Sequence, residues 1–180
     1  DFFETLVSRE YLNLNDNGLG RMPLLNKLQN LKELHLRNNQ VSDFRELPPN
    51  LEYLDLNKND FSSIQADLSY LKKLKTLLLN NNKIIAFSIS LPSLEHLSLA
   101  ENRIVEIPSG LINLPNLKTI YLNNNLLSSV PQLPVNLELV DLSKNAITQL
   151  PLGLGKLIKL KSLMLNKNPM VNLSELLVMP

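Results

Sequence analysis

The sequence predicts an α/β solenoid of eight repeats. A curved parallel β-sheet would line its concave side, and extended, 3₁₀ or short helical returns its convex side. Three observations predict it. The stretch Leu117 to Asn125, LKTIYLNNN, sets Leu117, Ile120 and Leu122 at spacings of three and two, with Asn125 three residues on. The same frame recurs at Asn17, Asn39, Asn59, Asn82, Asn102, Asn125, Asn145 and Asn168, in steps of 22, 20, 23, 20, 23, 20 and 23 residues. Three residues before each asparagine stands a leucine: Leu14, Leu36, Leu56, Leu79, Leu99, Leu122, Leu142 and Leu165. One such unit cannot bury its apolar side alone, so the units must stack.

Residues 1–8 group Phe2, Phe3, Leu6 and Val7, with positions 3, 6 and 7 on one helical face. An exposed first sheet edge needs covering, so this segment is expected to be an N-terminal cap. The repeat domain is expected over 9–168. Its first leucine column is Leu31, Leu51, Leu74, Leu94, Leu117, Leu137 and Leu160, broken only in the first repeat by Arg9. A second inward column is Leu12, Leu34, Leu54, Leu77, Leu97, Ile120, Val140 and Leu163.

From Leu31 the repeats alternate between 20 and 23 residues, so the period is 43. The 20-residue members open Leu-Lys and the 23-residue members Leu-Glu, which suggests duplication of a two-repeat unit. In the short returns Pro48, Pro49, Pro131 and Pro134 favour extended backbone. In the long returns Leu68 with Leu71, Leu111 with Leu114, and Leu154 with Leu157 sit three apart, which suits a short helical or 3₁₀ turn. Residues 169–180 read as a C-terminal tail or the start of a continuing chain. A ninth repeat would be due at position 180, and Met170, Leu173, Leu176 and Leu177 lack a following repeat to cover them.

Composition narrows the function classes. Net charge is +1, which demands neither nucleic acid nor an anionic membrane. No apolar run approaches the ~18 residues of a membrane span. The chain has no cysteine. It also has no glycine-rich phosphate loop and no metal-spaced His/Cys cluster. His35 and His96 fall three repeats apart and Asp55 and Asp141 four apart, too far for a shared metal or a carboxylate dyad. No enzymatic activity, cofactor or metal is expected of these residues. The one N-x-S sequon, Asn172-Leu173-Ser174, reads as chance.

Each column has its own physical task. The asparagine column is polar among apolar neighbours, so each amide must find hydrogen bonds. Asn124, one place from the column, should be far more dispensable than Asn102. Lys32, Glu52, Lys75, Glu95, Lys118, Glu138 and Lys161 alternate in sign, so neighbours at strand spacing attract. The residues flanking the central leucines should line the concave face. They are mixed, nearly neutral, and include three of the four tyrosines and both histidines. Two groups form the candidate partner-binding site, since they combine aromatic and apolar surface with a few carboxylates. Tyr53, Asp55, Leu78 and His96 fall on the third to fifth strands, and Tyr121, Leu139, Asp141 and Met164 on the sixth to eighth.

The pattern L-x-x-L-x-L-x-x-N resembles the leucine-rich repeat superfamily over nearly the whole chain. LPPNLEYLDLNKN and LPVNLELVDLSKN resemble the repeats of bacterial effectors, LQNLKELHLRNNQVSD the SDS22-like class, and IPSGLINLPNLKTIYLNNN the typical 23-residue class. The short–long alternation is similar to that of the small leucine-rich proteoglycans, which carry cysteine caps that this chain lacks. The resemblance implies a curved solenoid that binds a protein partner through its concave sheet, as a monomer. It implies that the asparagines bond backbone groups of neighbouring turns. Secreted members commonly close their ends with disulfide-bonded caps, so the missing cysteines favour a reducing compartment or a bacterial source. A cytoplasmic protein, or an effector delivered into a host cell, is expected. The alternative function is the substrate-binding part of a larger enzyme or effector, such as a ubiquitin ligase.

Overall fold

The computed structural model describes residues 6–107 and 109–171. Eight three-residue strands form one parallel sheet: β1 (Tyr11–Asn13), β2 (Glu33–His35), β3 (Tyr53–Asp55), β5 (Thr76–Leu78), β7 (His96–Ser98), β8 (Thr119–Tyr121), β9 (Leu139–Asp141) and β10 (Ser162–Met164). Equivalent residues pair throughout, from Leu12 with Leu34 to Val140 with Leu163. The register therefore follows the sequence frame without a slip. A second parallel pair, β4 (Ser63–Ile64) and β6 (Ala86–Phe87), lies on the return side.

The leucine columns are the core. Leu31, Leu51, Leu74, Leu94, Leu117 and Leu137 are fully buried, as are Leu34, Leu54, Leu77, Ile120 and Val140. Leu12 and Leu14 at one end, and Leu160, Leu163 and Leu165 at the other, are only partly covered. A stack buries its middle turns between two neighbours and its terminal described turns against one.

The asparagine ladder is continuous. Asn102 Nδ2 donates to the carbonyls of Leu79 (2.9 Å), Leu99 (3.0 Å) and Ala100 (3.2 Å), and its Oδ1 accepts from Ile84 N–H (3.0 Å). Asn39, Asn59, Asn82, Asn125, Asn145 and Asn168 repeat the pattern, each bonding its own turn and the one before. The amide thus satisfies donors and acceptors that a turn leaves facing an apolar interior.

A feature the sequence hid precedes each ladder asparagine. Asp16, Asn38, Lys58, Asn81, Glu101, Asn124, Lys144 and Lys167 all have φ between 53° and 60°. This left-handed conformation costs most non-glycine residues about 1–2 kcal/mol, and asparagine and aspartate least. Asn124 is therefore not an idle neighbour of the ladder. Its backbone is held left-handed while its N–H donates to Ser143 O at 2.9 Å.

A second polar ladder runs along the residue just before the first leucine. Asn30, Asn50, Asn116 and Asn136 each donate to a carbonyl of the preceding turn, at 2.7–2.9 Å, and Ser93 Oγ does the same. The lysine–glutamate column pairs in one direction only. Lys32 meets Glu10 and Lys75 meets Glu52, both at 2.9 Å; Lys161 meets Glu138 at 2.7 Å; and Lys118 meets Glu95. Each lysine reaches back across the longer step to the previous glutamate. No ion pair joins Lys32 to Glu52, Lys75 to Glu95 or Lys118 to Glu138.

The returns follow their composition with one exception. Residues 41–50 and 126–136 are without helix, and 3₁₀ turns form at Ser109–Asn113 and Leu154–Lys156. The return containing Leu68 and Leu71 makes only hydrogen-bonded turns, after a strand at Ser63–Ile64. There β-branched Ile64 pairs beside Phe87 instead of entering a helix. The expected cap helix falls largely outside the described residues, and of it only Leu6 is seen packing on the core. The sequon and Leu173, Leu176 and Leu177 also lie outside them, while Met170 packs on the last turn.

Candidate functional site: the concave sheet face

A three-residue strand turns its central residue into the core and its two outer residues away from it. Tyr11, Glu33, Tyr53, Thr76, His96, Thr119, Leu139 and Ser162 consequently form one row across the sheet. Asn13, His35, Asp55, Leu78, Ser98, Tyr121, Asp141 and Met164 form the next. The two candidate groups lie on one continuous surface, because Leu78, Ser98 and Tyr121 are register partners in succession.

The eight candidate residues differ in how free they are. Tyr53, Leu78, Tyr121, Leu139 and Met164 are half-buried and His96 is exposed. His96 Nδ1 lies 2.6 Å from Thr119 Oγ1, so the ring is tied to the next strand. Asp55 and Asp141 are only 6% and 9% exposed. Asp55 Oδ1 accepts from Asn57 N–H, and Asp141 Oδ1 from Ser143 N–H, both at 2.9 Å. Each carboxylate already closes the turn that follows its own strand, the local bond that aspartate makes two residues on. Asn13 does the same for Asn15 N–H. Asn15, Asn57 and Asn80 then reach across strands, to the N–H groups of Arg37, Asn80 and Ala100 respectively.

A tighter constellation lies at β1–β3, and of its members the site read from sequence contained only Tyr53. The His35 ring sits between two tyrosines, with centroids 5.1 Å from Tyr11 and 5.0 Å from Tyr53. Tyr11 is 53% exposed, and its hydroxyl accepts from Asn13 Nδ2 at 3.3 Å. Glu33 stands between the tyrosines in the row, with Oε2 3.8 Å from His35 Nε2, beyond hydrogen-bond reach. Among the described residues, His35 Nε2 is the one buried side-chain nitrogen or oxygen without a hydrogen-bond partner. Burial holds the Tyr53 hydroxyl above its usual value, with Asp55 and then Glu33 adding to it. The sequence signal was a tyrosine in the same column two repeats apart, flanking a glutamate. The diagonal contact with His35 is visible only in three dimensions.

Among the described residues, no group of three or more His, Cys, Asp or Glu could hold a metal, and no helix is long and apolar enough to cross a membrane. The convex side carries apolar exposure of its own, with Ile112, Val135, Leu152 and Ile158 all more than half exposed.

Comparison with known proteins agrees with this architecture. Residues 10–49 and 92–134 match the family model of leucine-rich repeats in two copies, and 50–71 that of the single leucine-rich repeat. No curated protein matches the sequence. Among solved structures, a leucine-rich repeat protein of Leptospira interrogans superposes with a TM-score of 0.77 at 28% identity, over 97% of this chain and 53% of that one. YopM of Yersinia pestis, described as a leucine-rich effector protein, gives 0.76 at 31% identity, over 89% and 50%. The leucine-rich repeat domain of APL1B gives 0.81 at 25% identity, over 98% and 55%. The chain thus spans about half the length of the structures it matches. With the recurrent motif, the eight-stranded parallel sheet and these matches in agreement, the chain belongs to the leucine-rich repeat proteins.

Proposed function

We propose that this chain is a protein-recognition module, a monomer that holds a protein partner on the concave face of its sheet. The fold class supports protein interaction in general. The observation that carries the concave assignment is the division of labour across the stack. The asparagine and lysine–glutamate columns are committed to holding neighbouring turns together, whereas Tyr11, Glu33, Tyr53, Leu78, Tyr121, Leu139 and Met164 form no part of either ladder. Tyrosine among half-buried apolar side chains is the composition of an interface centre. The proposed domain is 9–168, with 1–8 and 169–180 flanking it.

The test is comparative capture from the native cell extract. Tyr53→Ala and Tyr121→Ala should each weaken a retained protein by more than about 1 kcal/mol with the fold intact. Lys156→Ala, on the convex return, should leave it bound. A partner lost with the convex change but kept by both tyrosine variants would end the concave reading.

A second reading is favoured by the 31% identity to a bacterial effector. In it the module belongs to a larger effector or enzyme acting in a host cytoplasm, and supplies substrate binding. Sequencing the full reading frame decides this, since a catalytic domain beside the repeats would be evident.

A further inference from the structure

We infer that Asn17 is a site of covalent self-modification, where the Gly18 nitrogen closes on the Asn17 side chain and ammonia leaves. The site lies at the first turn of the asparagine ladder. It is independent of the concave-face reading.

The sequence supplies the motif once. Of all the asparagines, Asn17 alone precedes a glycine. Glycine has no side chain to hinder its nitrogen as it approaches the side-chain carbonyl before it. The dipeptide alone is not sufficient, because a turn that immobilises either reacting group prevents the approach. The ladder immobilises both along its length, except here.

In the six turns from Asn39 to Asn145 each ladder side-chain oxygen accepts an N–H of the preceding turn, at 2.9–3.1 Å. The following nitrogen is engaged as well. Gln40, Asp60, Lys83, Arg103, Leu126 and Ala146 each donate N–H to a carbonyl of the preceding turn, at 2.8–2.9 Å. Asn168 precedes Pro169, which has no N–H to lose. Asn17 has no described repeat before it. Its Nδ2 makes one bond, to Asn15 O at 2.9 Å. Among the described residues its Oδ1 accepts no hydrogen bond, and Gly18 N–H meets no acceptor. Both residues are exposed. Gly18 has φ of 63°, and nothing lies within 4 Å of where its β-carbon would stand. The chain is pinned on either side, by Asp16 N–H to Arg37 O and Leu19 N–H to Asn39 Oδ1, both at 2.9 Å. The freedom is confined to the linkage that reacts.

The step needs only water. Hydroxide removes the Gly18 amide proton, and the nitrogen bonds to Asn17 Cγ. The Cγ–Nδ2 bond breaks, Nδ2 takes a proton and leaves as ammonia, and a five-membered succinimide remains. Water then opens either ring carbonyl, giving aspartate or isoaspartate. Nothing is oxidised or reduced. Each product sets a new carboxylate beside Asp16, and isoaspartate also lengthens the backbone by one methylene.

The test is incubation of the full chain in mildly alkaline heavy-oxygen water at physiological temperature, followed by tryptic mapping. Cleavage after Arg9 and Arg21 places Asn17 in one peptide, and fragmentation separates it from Asn13 and Asn15. Asn17 should convert at least about tenfold faster than the ladder asparagines from Asn39 to Asn145, whose turns must first open. The product should carry heavy oxygen, as ring opening requires, and should include isoaspartate, which aspartate-specific proteases leave uncut. Arg103→Gly sets the same dipeptide into a bonded turn. Arg103 is exposed, so the change spares the core, which a thermal melt verifies. In that folded variant Asn102 should stay intact while Asn17 converts, and in urea the two should convert at comparable rates. Persistence of Asn17 in the folded chain, where a synthetic peptide of residues 10–21 converts, would overturn the inference. So would conversion of Asn102 as fast as Asn17 in folded Arg103→Gly, because the dipeptide and not the turn would then select the site.

Discussion

Asn102→Ala offers the sharpest probe of how the turns are held together. The substitution removes four hydrogen bonds, but they are not equal losses. Leu79 O keeps the donor from Asn82, and Leu99 O keeps the one from Asn125. Ala100 O keeps Asn81 N–H. Ile84 N–H alone is orphaned, inside a core where Ile84 is fully buried. An unpaired buried donor costs about 1–3 kcal/mol, and the weakened carbonyls place the expected loss near 2 kcal/mol. For a chain of this size that lowers the melting temperature by about 4–8 °C, read by circular dichroism. Asn17→Ala is the matched control: in its exposed first turn Asn17 makes one bond, Nδ2 to Asn15 O at 2.9 Å, and its loss should stay within about 0.5 kcal/mol. Asn102→Asp should be at least as damaging as alanine, since it sets a carboxylate against the carbonyls. Equal losses for Asn17→Ala and Asn102→Ala, or a mild Asn102→Asp, would refute the account.

Lys118→Glu should destabilise the stack in a salt-sensitive way, and Glu95→Lys should rescue it while Glu138→Lys does so far less; equal rescue in double-mutant cycles would contradict the one-sided pairing. Hydrogen bonds from Lys75, Lys118 and Lys161 hold the carboxyls of Glu52, Glu95 and Glu138 below their ordinary 4.5. A depressed folded value means their contribution is complete above about pH 4.5 and fades as pH falls through the folded values, so the triple glutamine variant should show a flatter acid limb in its melting temperature. Lys144 has φ of 53°, so Lys144→Gly should relieve 1–2 kcal/mol of backbone strain against a 0.5–1 kcal/mol entropic cost, for a net gain of about 0.5–1 kcal/mol in urea unfolding. Lys144→Val should lose stability at the same place.

What the sequence made legible was whatever recurs in one residue type. Leucine is nearly alone in filling its inward columns, and asparagine alone offers a donor and an acceptor at the right reach, so both columns stood out. The left-handed residue did not, because aspartate, asparagine, lysine and glutamate all occupy it and the constraint is on the backbone. The alternation of Lys118 with Glu95 and Glu138 showed that opposite charges neighbour each other. Which neighbour is chosen depends on the offset between turns and could not be read from sign alone. Asp55 and Asp141 were placed on the correct face, yet their nearness to Asn57 and Ser143, two residues on, already hinted at turn closure. The Tyr11–His35–Tyr53 cluster crosses from one row to the next, a relation that column-by-column reading does not contain.

The one-sided pairing of lysines with the preceding glutamates constrains how such a chain can change length. Excising residues 74–93 alone would bring Glu52 beside Glu95 and leave Lys118 to serve both. Excising residues 74–116 would instead deliver Lys118 to Glu52 and preserve every pair, the asparagine frame and the left-handed position. Recombination in steps of 43 residues is thus silent to the register, whereas a step of 20 or 23 creates a like-charge seam. Variants of this gene that differ in length by whole 43-residue blocks should fold, and lengths between them should be rare.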